Sequence, residues 1–368
     1  MNILITGSKG FIGKNLIANL NQNKNNKILE FNKSTKQKLD SLVKKSDLIY
    51  HLAGENKSSN KSDFVKNNIN LTERICKLIV ENKLKTRMIF SSTIQSGNKT
   101  IYGKTKKNCE KIIKKYFKNK KNQFLILNIP NVFGKWSKPF HNSFISTFAY
   151  QVSREKKVNL VNSERKLRLI YIDDLVKNLV SIKNKKNLNK VNFKYSNIII
   201  SSPFAVLNLL KLFYKNDKEK IITNFSTPFV KKLYSTYLYY MPKKLVTQKI
   251  FNNTDHRGTF AEILKLGKYG QLSYFSILPG KIRGGHYHHT KTEKFLIIDG
   301  AVIFNFKDLY TGKKYSIKVS DKDKKIVTTV PGWVHDINNV SKKTAKLIVW
   351  ANEVFSKKKP DTYFANMK

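Results

Sequence analysis

The chain has 368 residues, of which 40% are hydrophobic, so it is long enough for two domains with buried cores. It has no run of 18 apolar residues and begins directly in a predicted strand, so we expect no membrane span, no signal peptide and a soluble, cytoplasmic protein. The net charge of +47 comes almost entirely from lysines spread along the chain, which indicates solvated surfaces rather than a nucleic-acid site.

The first predicted element is a strand at residues 3–5, followed by a glycine-rich turn and an apolar-periodic helix. The turn reads Thr-Gly-Ser-Lys-Gly-Phe-Ile-Gly over residues 6–13, which is the Gly-x-x-Gly-x-x-Gly form of the dinucleotide-binding loop. In this strand–turn–helix context, backbone amides bind a pyrophosphate at the helix N-terminus. We therefore expect a dinucleotide cofactor to contact Gly7, Gly10, Phe11, Ile12 and Gly13.

The next two predicted strands carry or precede residues that we expect to contact the cofactor. Residues 27–30 form the second strand, where Glu30 could hold a ribose diol as in NAD enzymes. Lys33, just beyond this strand, could instead pair with a 2'-phosphate, and it favours NADPH while leaving NADH open. The third strand begins at residue 47 and ends in a turn of small residues that we also expect to contact the cofactor, namely Leu52, Ala53 and Gly54.

Predicted catalytic residues follow the fourth strand, which ends in Ser-Ser-Thr at residues 91–93. Tyr102 and Lys106 lie one helical turn apart on one face of the next helix. An ammonium group lowers the pKa of a nearby phenol towards neutrality. We therefore expect Tyr102 to pass a proton to a substrate oxygen while a hydride goes to the carbon.

The order of these motifs resembles the extended short-chain dehydrogenase/reductase family. The resemblance implies a Rossmann-type, doubly wound parallel α/β sheet over residues 1–245, with Thr93 bonded to the same substrate oxygen as Tyr102 and with Asn131 near the substrate. The related 4,6-dehydratases need an Asp-Glu pair after the Thr, whereas Ile-Gln follows it here. The chain should therefore consume a 4-keto sugar rather than make one.

From about residue 246 the pattern changes to short strands and glycine turns, as in an all-β domain. The spacing of the first cupin motif, G-x5-H-x-H-x4-E-x6-G, is complete from residue 280 to residue 300. His286 and His288 share one face of a strand because side chains alternate, and Glu293 can return to that face on the next strand. Two imidazoles and a carboxylate then converge inside a small cupin barrel.

A fourth ligand is predicted at His335, three residues after Gly332, as in the second cupin motif. The motif departs from its usual form because Pro331 directly precedes that glycine instead of standing two residues before it. Three imidazoles and one carboxylate suit Zn, Mn, Fe or Ni, and we expect a divalent metal, with Zn favoured. The alternative is a set of buried polar groups that hold no metal.

Two further segments, residues 255–262 and 283–286, resemble the sugar-nucleotide 3,5-epimerases, which are cupins that work without a metal and use a His as base. This resemblance implies that Arg257 and Arg283 contact the substrate. It also implies a second possible role for His286, as the base. His286 cannot be a metal ligand and a base at once, because the metal occupies the nitrogen lone pair that would accept the proton. The complete motif favours the metal, and the base is not identified.

Over nearly its full length the chain is similar to bifunctional enzymes of bacterial capsular polysaccharide synthesis that fuse a reductase domain to a cupin domain. That family implies a UDP-4-keto-6-deoxy-N-acetylhexosamine substrate. A metal-binding cupin domain at residues 246–368 would epimerise C3, and the reductase domain would then reduce the C4 ketone with NADPH, on the route to UDP-N-acetyl-L-fucosamine. We also expect a homodimer, with no nucleic-acid or membrane partner.

Alternatives to this hypothesis differ in what the second domain does. The strongest is a simple NADPH-dependent 4-reductase whose cupin domain serves only dimerisation or stability. A non-enzymatic protein would have broken catalytic positions, but Thr93, Tyr102 and Lys106 are all present. A nucleic-acid-binding protein would need clustered Arg and aromatic residues, and the seven Arg residues are scattered.

Overall fold

The computed structural model describes residues 1–118, 120–185, 187–356, 358 and 360–367, so residue 368, where the predicted cupin domain ends, lies outside the described residues. The chain divides into two compact units. One comprises Met1–Lys211 and Thr227–Pro242, and the other comprises Leu212–Ser226 and the chain from Lys243 onward. Sequence analysis assigns Leu212–Ser226 to the reductase domain, whereas the contacts of the fold group it with the second unit.

The first unit begins with a parallel sheet of alternating strands and helices. The strands are β1 (Asn2–Thr6), β2 (Lys27–Phe31), β3 (Leu48–His51), β4 (Arg87–Thr93) and β5 (Phe124–Ile129). The helices are α1 (Phe11–Leu20), α2 (Leu39–Lys45), α3 (Lys61–Phe64), a π-helical segment (Val65–Asn70), α4 (Leu71–Glu81) and α5 (Ile101–Phe117). The order β2-β1-β3-β4-β5 places a topological switch between β1 and β3, where α/β sheets bind ligands.

A smaller sheet and four more helices follow. Strands β6 (Asn131–Phe133), β7 (Leu167–Tyr171) and β8 (Ile199–Ser201) form this sheet, with β6 parallel and β8 antiparallel to β7. The helices are α6 (Phe144–Val152), α7 (Ile172–Lys183), α8 (Pro203–Lys218) and α9 (Pro228–Tyr240). None of the described helices combines the length and the apolar character that a membrane crossing requires.

Helices cover both faces of the large sheet because its strands are apolar on both sides. In β1, Ile3 and Ile5 belong to one buried cluster, which includes Leu16 of α1. Leu4, which points to the opposite face, belongs to a second buried cluster with Ile79 of α4. The doubly wound, Rossmann-type fold predicted for this part of the chain is confirmed.

The chain from Asn252 onward forms two antiparallel sheets. Its strands are β9 (Asn252–Asp255), β10 (Gly258–Lys265), β11 (Gln271–Ile277), β12 (Ile282–Tyr287), β13 (Glu293–Asp299), β14 (Ala301–Asp308), β15 (Lys314–Ser320), β16 (Ile326–Thr328), β17 (Trp333–Asn339), β18 (Ala345–Ala351) and β19 (Tyr363–Phe364). The sheet orders are β16-β13-β18-β11-β10-β9 and β15-β14-β17-β12-β19. Side chains from both sheets, including Phe295 and Phe304, share one buried core, so the predicted all-β domain is confirmed.

The segment Leu212–Ser226 joins the second unit through backbone pairing with β10. Ile222 donates a hydrogen bond to the oxygen of Lys265 at 2.8 Å, and Lys265 donates to the oxygen of Lys220 at 2.8 Å. These bonds form between residues about 45 positions apart in the chain, as the numbering shows. Sequence periodicity, which detects only local patterns, does not predict them.

Candidate active site and metal centre

The glycine-rich loop lies between β1 and α1 and touches the turn after β3. Gly7 has a φ of +72°, and a Cβ added to it would lie 2.8 Å from the backbone nitrogen of Ala53. A Cβ on Gly13 would lie 2.3 Å from the oxygen of Gly7. Both positions therefore require glycine, because a side chain would collide with neighbouring backbone atoms. Gly7 also requires it because its positive φ is unfavourable for other residues.

A cleft of about 440 Å³ opens at this loop. Most of the cofactor, catalytic and substrate residues predicted for the first unit line it: Gly7, Gly10, Phe11, Ile12, Gly13, Leu52, Gly54, Thr93, Tyr102, Lys106 and Asn131. Ala53 packs behind the lining against Gly7, and Lys33 lies outside it with a side chain that is 78% exposed. The fold thus gathers residues from four separate predicted motifs into one concave site.

Tyr102 and Lys106 occupy the first turns of α5, which begins beside the loop that follows β4. The helix is capped by Thr100, whose hydroxyl accepts a hydrogen bond from the backbone nitrogen of Gly103 at 3.0 Å. Burial raises the pKa of Tyr102, and a hydrogen bond with Thr93 offsets only part of this effect. The two hydroxyls predicted to meet one substrate oxygen therefore lie near each other.

Lys106 is fully buried and points to β4. Its ammonium donates a hydrogen bond to the oxygen of Ser91 at 2.6 Å and lies 4.5 Å from the ring centre of Phe90. Burial lowers the pKa of Lys106 to about 8. The expected lowering of the phenol's pKa is not seen in this structure, because burial outweighs other effects on Tyr102 and the ammonium is directed at Ser91.

Glu110, which sequence analysis did not assign to the site, anchors both sides of Thr93. Its Oε1 accepts hydrogen bonds from the hydroxyls of Ser92 at 2.5 Å and Ser96 at 2.6 Å. Burial alone would raise its pKa, but these bonds and the ammonium of Lys107 at 3.3 Å keep the pKa below its usual value. The sequence contains a signal for this role, because Glu110 follows Lys106 by four residues and therefore lies on the same face of the helix.

His51 is a second buried group that the motifs did not assign. The hydroxyl of Thr72 donates to the oxygen of Asn68 at 2.7 Å, so it must accept from Nε2 of His51, 2.9 Å away. Nδ1 then accepts from the hydroxyl of Thr6 at 2.7 Å, which in turn accepts from the backbone nitrogen of Ala53 at 3.2 Å. Burial lowers the pKa of His51 to about 3, so a neutral imidazole holds the turn after β3.

Asn32 and Glu30 both lie near the glycine loop. The side-chain amide of Asn32 donates to the hydroxyl of Ser8 at 3.0 Å, whereas Glu30 is exposed and lines a shallow depression together with Ser8 and Lys9. Two lysines lie close by: Lys9 donates to the hydroxyl of Ser34 at 3.0 Å, and Lys33 pairs with Glu55 at 3.2 Å. The residue at the end of β2 is therefore a neutral amide flanked by cations.

The second candidate site lies in the all-β part of the second unit. The four predicted ligands converge there, with every donor atom within 4.8 Å of the others: His286, His288, Glu293 and His335. His286 pairs with His335 across β12 and β17, and Glu293 is the first residue of β13. The strand register thus brings together residues that stand up to 49 positions apart, as their numbers show.

The donor atoms of these groups suit a cation. Nε2 of both His288 and His335 is buried, finds no hydrogen-bond partner among the described residues and lies 3.5 Å from a carboxylate oxygen of Glu293. Burial would raise the pKa of Glu293, but the two histidines and the ammonium of Lys291 hold it well below the usual range. Burial lowers the pKa of His286 to about 3. Three imidazoles facing a carboxylate form a donor set that fits a divalent metal.

The two arginines predicted to contact the substrate share one carboxylate. Arg257 donates to Asp255 at 2.7 Å, and Arg283 donates to the other oxygen of Asp255 at 3.2 Å. Arg283 also donates to the oxygen of Ser276 at 3.1 Å, which fixes its orientation. Hydrogen bonds from Arg257 hold the pKa of Asp255 well below its usual range, so this cluster carries a net positive charge.

Comparison with known proteins gives two family matches along the chain. Residues 3–195 match the NAD dependent epimerase/dehydratase family, and residues 253–363 match the polysaccharide biosynthesis C-terminal domain. The chain is 35% identical to UDP-2-acetamido-2,6-beta-L-arabino-hexul-4-ose reductase of Pseudomonas aeruginosa strain PA103, over 99% of this chain and 98% of that protein.

Solved structures agree with these matches. The crystal structure of the capsular polysaccharide assembling protein CapF from Staphylococcus aureus is 33% identical, covers 100% of both chains and has a TM-score of 0.90. UDP-glucuronic acid 4-epimerase from Bacillus cereus, in complex with NAD, shares the fold of 65% of this chain and 96% of its own at 19% identity, with a TM-score of 0.56. The chain therefore belongs to the CapF family of capsular polysaccharide assembling proteins, and its N-terminal part belongs to the NAD dependent epimerase/dehydratase family.

Proposed function

We propose that this chain is a bifunctional sugar-nucleotide enzyme that acts on a UDP-4-keto-6-deoxy-N-acetylhexosamine. Its second unit epimerises C3, and its first unit then reduces the C4 ketone with NADPH, on the route to UDP-N-acetyl-L-fucosamine for surface polysaccharide. The observation that carries the reductase is the cleft in which Tyr102 and Lys106 lie beside the glycine loop. The reductase activity named for the Pseudomonas relative supports the same reaction class.

The reduction adds a hydride to the carbonyl carbon of the ketone and a proton to its oxygen. The bound nicotinamide supplies the hydride to C4. Tyr102 donates its phenolic proton to the C4 oxygen, and the hydroxyl of Thr93, which lines the same cleft, is available to hold the same oxygen. The positive charge of Lys106 beneath the cleft favours the phenolate that remains.

Epimerisation must come first, because the C4 ketone is what makes the C3 proton acidic. A base that removes this proton leaves an enolate, and return of the proton to the other face inverts C3. Reduction of C4 afterwards removes the ketone and prevents return to the first epimer. When one chain carries both activities, the reduction consumes the epimerised ketone. It therefore shifts a nearly balanced epimerisation equilibrium towards the inverted product.

The metal would be held by the three histidines and the carboxylate described above. A divalent cation there supplies Lewis-acid polarisation of a carbonyl oxygen. The convergence of all four donor atoms within 4.8 Å favours His286 as a ligand over His286 as the base. This ligand set suits Zn, Mn, Fe or Ni, and Zn is the metal proposed here.

NADPH is supported by the residues at the end of β2. An acidic side chain there would repel a 2'-phosphate, but Asn32 is neutral. Lys9 and Lys33 provide cations within reach of the same region. The ratio of kcat/KM for NADPH to that for NADH measures this preference, and we expect it to exceed one.

The proposal is tested by incubating the enzyme with the UDP-4-keto sugar in D2O, first without and then with NADPH. We expect deuterium at C3 in the absence of NADPH, because epimerisation does not need the cofactor. NADPH should then give an alcohol with inverted C3, identified by NMR and mass spectrometry. A reduced product without deuterium or inversion at C3 would instead establish the simple 4-reductase.

A further inference from the structure

The C-terminal segment of residues 360–366, here called the C-terminal strap, lies along β12, the strand that carries the proposed metal ligand His286 and is directly followed by His288. Its strand β19 pairs with β12, with Phe364 opposite His286 and Tyr363 opposite Tyr287. Ala365 donates a further backbone hydrogen bond to Gly285 at 3.1 Å. The strap therefore extends the sheet at the metal centre and is more than a loose terminus.

Asp361, within the strap, holds the loop between two of the ligands. One carboxylate oxygen accepts a hydrogen bond from the backbone nitrogen of His289 at 2.9 Å. The other accepts from the backbone nitrogens of Thr290 at 2.7 Å and Lys291 at 2.8 Å, and from the Thr290 hydroxyl at 3.0 Å. These three residues lie between His288 and Glu293, so one side chain fixes the spacing of both ligands.

The main chain of Asp361 also sets the tautomer of His288. Its carbonyl oxygen lies within hydrogen-bonding distance of Nδ1 of His288. A carbonyl can only accept, so Nδ1 carries the proton and Nε2 presents a lone pair. That Nε2 is the buried atom without a partner that faces Glu293. Outer partners of this kind orient a histidine ligand and increase its basicity.

We infer that Asp361 is a positioning residue for the metal centre: it binds no metal, but it holds His288 and the following loop in the geometry that binds one. This inference rests on the metal site proposed above. Loss of an outer partner commonly weakens metal binding 10- to 100-fold. We expect a loss of about this size from Asp361→Ala, which removes all four side-chain hydrogen bonds.

The test compares zinc affinity of the full-length chain and its variants by competition with a chromophoric chelator. The matched control is Asp323→Ala, because Asp323 also closes a turn of this unit, by accepting from the backbone nitrogen and hydroxyl of Ser320 at 2.7 Å. Asp361→Ala should bind zinc about 10- to 100-fold more weakly than the wild type, and Asp323→Ala should not change the affinity. The visible spectrum of the cobalt-loaded variants reports separately on the ligand geometry.

Two outcomes separate this inference from the proposal beneath it. A wild type that binds neither zinc nor cobalt would refute the metal site itself. Tight binding by the wild type together with equal affinity in Asp361→Ala would leave the metal site standing and overturn the role of Asp361. If the Ala variant does not fold, Asp361→Leu, which keeps similar bulk but has no accepting oxygen, is measured instead, and wild-type affinity in that variant would likewise overturn the inference.

Discussion

The ammonium of Lys106 lies 2.6 Å from the backbone oxygen of Ser91, two residues before Thr93 on β4. This hydrogen bond joins helix α5, which carries Tyr102 and Lys106, to the end of the strand that carries Thr93. It also places a buried charge under the cleft, where few water molecules can solvate it. Burial therefore lowers the pKa of Lys106 to about 8, within the range in which enzymes are assayed.

We expect the reductase rate to fall as the pH rises through about 8. The ammonium form of Lys106 exists below its pKa and is lost above it, and in the proposed reduction its positive charge stabilises the phenolate left on Tyr102 after proton transfer. A pH profile of kcat/KM for NADPH oxidation measures this effect. A rate that stays constant from pH 7 to 9.5, with the enzyme still folded, would show that the charge of Lys106 is not needed.

Tyr102→Phe should abolish NADPH oxidation while leaving deuterium exchange at C3 intact. The substitution removes only the phenolic hydroxyl, which donates the proton to the C4 oxygen in the hydride step. General acid catalysis commonly contributes about 10²- to 10⁴-fold, so the residual rate should be lower than wild type by about that factor. The same sample, assayed in D2O by NMR, supplies the control. A normal reduction rate in this variant would refute the assignment.

Glu110 offers a prediction about geometry. Both serine hydroxyls bond to its Oε1, so Glu110→Gln, whose amide keeps one such oxygen, should retain most of the activity. Glu110→Ala frees Ser92 and Ser96 on both sides of Thr93 and should lower kcat for reduction about 10- to 100-fold, since small misplacements have effects of that size. The KM for NADPH should change little. Equal losses in both variants would indicate that charge, rather than geometry, is what Glu110 supplies.

The sequence predicts best where chemistry and spacing are local. The glycine loop at residues 6–13 and the His-x-His pair at the end of β12 each occupy one short stretch of the chain, so local spacing is enough to predict them. The fold class follows in the same way from apolar runs. His335 is an intermediate case, because a motif predicts it but the register of β17 with β12 brings it to the other ligands.

What the sequence does not predict depends on distant packing. Asp361 holds a loop that lies about 70 positions earlier in the chain. No local sequence pattern around Asp361 predicts this contact. The raised pKa of Tyr102 is caused by burial, which appears only when the cleft is assembled. The pairing of Leu212–Ser226 with β10 is likewise a tertiary event.

The pairing of Leu212–Ser226 with β10 determines which experiment can measure the two proposed activities separately. A chain cut at residue 245 would leave Ile222 without the backbone of Lys265, its hydrogen-bond partner. Full-length variants with one inactive site each avoid this damage. Tyr102→Phe inactivates the proposed reductase, and His335→Ala removes one proposed metal ligand from the second unit.

We expect neither variant alone to make the C3-epimerised alcohol, and we expect their mixture to make it. Tyr102→Phe can still produce the epimerised ketone, which diffuses as a free nucleotide sugar to the intact reductase site of His335→Ala. Product NMR of the two variants and of their mixture, each with NADPH, gives the result. His335→Ala alone should form only the unepimerised alcohol, if it forms any. If it instead yields the wild-type product unaided, neither His335 nor the metal it would hold is needed to invert C3.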